Sequence, residues 1–107
     1  MAYDAETAER VREFLARRAD VVEKPIVGGG VGFMVGGHLC VAVGKRGLTV
    51  RIGAGAKRRA LDEPHVVPHV VGKRETKAFV VVEAGGIADD AALAMWVERG
   101  LRFVAAL

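Results

Sequence analysis

The chain has no serine at all, a single cysteine and only 6% aromatic residues. Without serine there is no serine nucleophile, and Thr7, Thr49 and Thr76 stand in no nucleophile-elbow pattern. One cysteine, Cys40, excludes an intrachain disulfide and points to the reducing cytoplasm. Scarce aromatics mean that the core must be assembled from Val, Leu, Ala and Ile. No apolar run approaches the roughly 20 residues that cross a bilayer, and the opening MAYDAETAERVREF lacks the apolar stretch of a secretory signal. No membrane association is expected.

What is present fits one globular domain spanning residues 1–107, with 51% hydrophobic and 27% charged residues. The net charge of +3 is unevenly placed. Lys45, Arg46, Arg51, Lys57, Arg58 and Arg59 follow one another without an intervening acid, and Lys73, Arg74 and Lys77 are interrupted only by Glu75. Such blocks are either solvated faces or attractors of nucleic acid and other polyanions.

The hydropathy pattern predicts a first helix capped by Asp4, through a backbone N–H near Thr7. Ala8, Val11, Phe14, Leu15 and Arg18 share one face, and Ala19-Asp20 ends the helix. Strand sequence follows. VVEKPIV carries a proline suited to an edge or a strand start, and VGFMV leads into Gly36-Gly37, a pair that permits a tight hairpin. HLCVAV reads as a central strand. LTVRI follows the Lys45-Arg46-Gly47 turn, with Arg51 facing away from its aliphatic neighbours. AKRRALDE predicts a short helix stopped by Pro64. HVVPHVV predicts an edge strand and AFVVVE a further strand. Asp89 caps a last helix with Leu93, Trp96, Val97, Gly100, Leu101 and Val104 on its apolar side. Gly100 there costs about 1 kcal/mol against Ala, which a close backbone approach on the buried face would explain. Consecutive strands flanked by helices predict an α+β domain with an antiparallel sheet and helices on one face.

Each candidate site has an ordinary structural alternative. In KPIVGGGVGFMVGG the glycines do not complete G-x-G-x-x-G, because Phe33 or Val35 takes the third position and strand sequence follows. They are expected to bend or bulge one long strand, Val21 to Val35, over the core. RIGAGAKRRA is the better anion candidate, a helix start after two glycines with Lys57, Arg58 and Arg59 in its first turn. Those cations oppose the helix dipole, a conflict that phosphate or water would relieve. A small-molecule or enzymatic role near Gly53 to Lys57, or at the histidines, is therefore kept as an alternative. His65 and His69, beside Asp62 and Glu63, carry metal-binding chemistry, but on a strand they would stand about 13 Å apart. Cys40 reads as a small buried hydrophobe with no evident cation to activate it. No catalytic constellation, cofactor site or metal site emerges. Direct nucleic-acid binding would run through Arg46, Arg51, Lys57, Arg58, Arg59 and Lys73.

EKPIVGGGVGFMVGGHLCVAV, LTVRIG and GGIADDAALAMWVERGLRFV together resemble the N-terminal domain of the TfoX/Sxy proteins. The departure lies at Pro25, Ile26 and Val27, where the family usually has a basic residue, Met and an aromatic before its paired glycines. The resemblance implies a two-layer fold in the order α-β(3)-α-β(2)-α, with a five-stranded sheet similar to the secretion-chaperone architecture. It also implies a stand-alone version of the domain without the C-terminal domain of the competence regulators. The functional expectation that follows is a cytoplasmic, non-enzymatic module that binds a protein partner, such as transcription machinery, and is able to pair into a homodimer.

Overall fold

A computed structural model describes residues 3–26 and 28–107 of the chain. Met1 and Ala2, and with them the start of the N-terminal segment, lie outside the described residues. So does Val27, one of the residues that depart from the family pattern.

The first helix, α1 (Ala5–Phe14), is shorter than its periodicity predicts. Asp4 caps it twice over, accepting from the Glu6 N–H at 3.2 Å and from the Thr7 hydroxyl at 2.7 Å. Ala8, Val11 and Leu15 are buried as expected. Phe14 is half exposed, and Arg18 has left the helix to pair with Asp20.

Six strands follow, not five: β1 (Val21–Pro25), β2 (Val31–Val35), β3 (His38–Val43), β4 (Gly47–Arg51), β5 (Val66–Val71) and β6 (Arg74–Glu83). A short helix, α2 (Ala54–Ala60), separates β4 from β5. A 3-10 turn at Ala84–Ile87 leads from β6 into α3 (Asp90–Ala105). The sheet order is β1-β2-β3-β4-β6-β5, with every neighbouring pair antiparallel.

The extra strand comes from the glycine segment. Residues 21–35 do not form one bent strand; they fold back on themselves, with Val21 opposite Val35 and Pro25 opposite Val31. Gly28 and Gly29 have φ of 94° and 92°, values that side chains with a Cβ rarely adopt, so they turn the chain. The bulge lies elsewhere, between Phe33 and Met34 of β2. Ile26 folds over Gly32, whose missing side chain it replaces.

The core lies between the sheet and one layer of helices. Val41, Val43, Leu48, Val50, Val80, Val82 and Phe33 from the sheet join Val11, Ala60, Leu93, Trp96, Val97 and Val104 from the three helices in one cluster. Asp89 caps α3 by accepting from the Ala92 N–H at 2.7 Å. Arg99 ties α3 to the segment after α2, stacking 4.1 Å over Trp96 and gripping both carboxylate oxygens of Glu63 at 2.9 and 2.8 Å. Pro25 and Pro68 both fall on outer strands, β1 and β5, where a missing N–H disrupts no ladder inside the sheet.

Candidate functional site

Residues of opposite parity to the core strands face away from the helices. On β4 and β6 these are Thr49 opposite Val81 and, by register, Arg51 opposite Phe79, although the Arg51 guanidinium reaches Phe103 of α3 at the end of the sheet. The sheet curls here, so that Thr49 and Val81 line a groove with Pro68, His69 and Val70 of β5 and, from the other side, Gly28 and residues 44–47. Its volume is about 280 Å³. Lys45 and Arg46 are exposed at its rim, and Arg46 also bonds Glu83 at 3.2 Å.

At the far end of β5, Val70 and Val71 are 52% and 49% exposed. His69 stacks against Phe79 with ring centroids 5.6 Å apart, and its Nδ1 lies 2.9 Å from the Thr76 hydroxyl. Burial, and then the positive charge of Lys57, lower its proton affinity below the ordinary histidine value.

The basic block contiguous in sequence is divided in space. Arg46 sits at the β3–β4 turn, whereas Lys57, Arg58 and Arg59 lie on α2, beyond the opposite end of β4. Lys73 joins the second group, because the β5–β6 hairpin packs beside α2: Lys57 bonds the Glu75 carboxylate and the Thr76 carbonyl. Arg51 belongs to neither. Its guanidinium lies between Phe79 and Phe103, 5.6 and 5.8 Å from their ring centroids, and donates to the Leu39 carbonyl at 3.4 Å. Its Nε is buried without a partner among the described residues.

Lys57, Arg58 and Arg59 fall in the last turn of α2, not the first, because the helix already starts at Ala54; there they suit the helix dipole, and the expected conflict is absent. Gly53, which precedes α2, has a local structural reason. Phe103 occupies the space where its side chain would be, within 2.4 Å of a Cβ. The histidines do not share a strand face. His65 precedes β5 with φ of 68° and packs on Gly85 and Gly86. No group of three or more His, Cys, Asp or Glu converges among the described residues.

Cys40 is fully buried, and burial pushes its thiol up to about 11. Contrary to the sequence expectation, cations do approach it, Arg18 and Arg51, but their effect is smaller than that of desolvation. No described helix is long and apolar enough to cross a membrane.

Sequence reasoning missed the groove, although the alternation in LTVRI and AFVVVE already places Thr49 and Val81 opposite the core. It also left Arg74 and Lys77 out of the candidate contacts.

A six-stranded antiparallel sheet with helices on one face and a curled, open opposite face defines a two-layer α+β domain. The chain belongs to the TfoX N-terminal domain family, whose sequence model matches residues 13–104. Comparison with curated proteins and with solved structures found no match.

Proposed function

We propose that the domain is a non-enzymatic interaction module of the competence- and transcription-regulator type, acting in the cytoplasm on a protein partner from the transcription machinery. Family membership supports the regulator-like reading. The observation that carries a protein contact is the groove on the open sheet face. Its floor is small, Thr49 and Val81; its wall is apolar, Pro68 and Val70; and its rim is basic, Lys45 and Arg46. That chemistry fits an extended segment bearing small apolar side chains and a carboxylate, with the apolar contacts supplying affinity and the rim charges orientation.

The test is comparative capture from the native cell. Thr49→Arg fills the groove floor, whereas Glu98→Lys alters an exposed position on α3, in the helical layer. A protein retained by the wild type and by Glu98→Lys but lost with Thr49→Arg supports the reading. If every co-purifying protein is indifferent to Thr49→Arg, the groove is not the contact surface.

A further inference from the structure

The β5–β6 hairpin extends past the strand it pairs with. β6 pairs with β4 only from Phe79 to Glu83, and the Ala78 carbonyl still accepts from Ile52 and Gly53. Residues 74–77 then run on, paired with β5 alone, as a two-stranded ribbon overhanging β4 by about 13 Å.

Its charges are arranged one way. Lys73, Arg74 and Lys77 on the ribbon and Arg58 and Arg59 on the adjoining α2 are all exposed. No ion pair among the described residues involves any of the five. Two of the nearby acids are engaged, Glu75 by Lys57 and Glu63 by Arg99. Asp62, exposed at the end of α2, is the one acid there outside the ion pairs of the described residues. The opposite end of the domain is mixed in sign: Asp4, Glu6, Glu83, Asp89 and Asp90 stand there with Arg10, Lys45 and Arg46, and Arg10 pairs with Asp90 and Arg46 with Glu83.

We infer that this end of the molecule docks on double-stranded DNA, the β5–β6 ribbon entering the major groove while Arg58 and Arg59 hold phosphates beside it. Antiparallel strands about 4.8 Å apart, with their side chains, fit a groove about 12 Å wide, which admits a two-stranded ribbon. Lys57 is a positioning residue. Through Glu75 and the Thr76 carbonyl it fixes the ribbon against α2, so the two sets of cations meet the duplex in a set relation. The exposed Val71 adds apolar surface beside the tip, of the kind that packs on thymine methyl groups. This contact is separate from the groove proposed for a protein partner and stands or falls without it.

The experiment is fluorescence anisotropy of the full chain with a labelled duplex of about 20 base pairs and with the corresponding single strand, titrated from about 50 to about 200 mM salt. With Lys73, Arg74 and Lys77 against the phosphates that line the groove and Arg58 and Arg59 on those beside it, five phosphate contacts give a slope of log K against log salt of about −4.5. Lys73→Gln/Arg74→Gln and Arg58→Gln/Arg59→Gln each reduce the size of that slope by about 2 and weaken low-salt binding about tenfold. Lys45→Gln/Arg46→Gln, at the other end of β4, changes affinity less than about twofold, because its cations lie outside the contact. All six positions are exposed, and circular dichroism confirms that each variant is folded. Absence of duplex binding at the lowest salt overturns the inference. So does equal weakening by the Lys45/Arg46 variant, which would mean diffuse attraction, and so does single-strand binding as tight as duplex binding.

Discussion

The backbone of α3 at Gly100 lies against Cys40 of β3, so that a methyl group on Gly100 would stand 3.0 Å from Cys40 Sγ and 3.2 Å from its carbonyl oxygen. Helix and sheet meet here at backbone distance, and the sulfur fills what a side chain on the helix would otherwise occupy. Gly100→Ala gains about 1 kcal/mol in helix propensity and loses roughly 1–3 kcal/mol to overpacking. The expected net loss is about 1 kcal/mol, larger for Gly100→Val. Urea unfolding midpoints measure it, and a midpoint raised by Gly100→Ala would show that the two layers part freely.

Cys40 itself should be inert in the folded protein. Its thiol is buried and held near 11, so at pH 8 almost no thiolate is present and no reagent reaches it. Alkylation by iodoacetamide should track global unfolding, with fast labelling only in denaturant. Labelling of the native chain at the rate of a free thiol would contradict the packing at Gly100.

Asp89 governs the start of the longest helix. Its carboxylate satisfies the Ala92 N–H, and α3 carries Leu93, Trp96 and Val97 into the core. Asp89→Ala should cost about 1 kcal/mol in global stability, and Asp89→Ser or Asp89→Asn should restore most of it. Equal losses in all three variants would assign the effect to charge and not to the cap.

Acid should weaken the fold through His69 before the carboxylates titrate. Its folded proton affinity is lowered from the ordinary value of 6.5 by burial and by Lys57. Between that value and its folded one, the unfolded chain binds a proton that the folded chain refuses, so stability falls as pH drops through this window. Unfolding measured at pH 7.5 and pH 5.5 should therefore show a smaller acid loss in His69→Gln than in the wild type. An identical loss would place the sensitivity elsewhere.

Much of the architecture was legible in the sequence because it is encoded locally. Asp4 and Asp89 announce their helices, Gly36-Gly37 its hairpin, and the proline in HVVPHVV its edge position. The glycine segment misled for a definable reason. In a straight strand Val21, Val31, Phe33 and Val35 share a face by alternation, and in the observed hairpin they share it again, since Val21 lies opposite Val35. Side-chain periodicity is the same in both, and only long-range pairing decides between them. The groove was illegible for a different reason. Thr49, His69, Gly28 and Val81 come from four separate segments, brought together by the curl of the sheet. The basic residues show both effects: β4 separates Arg46 from Arg58, while the hairpin turn brings Lys73 toward α2.

The prolines on the two outer strands bear on behaviour at high concentration. An outer strand with an unbroken row of amides is a template on which another chain can add, and repeated addition leads to fibres. Pro25 and Pro68 interrupt that template at both margins, and the short β1 also carries Lys24. Strand addition at either margin of this sheet is accordingly disfavoured, leaving no growing tip.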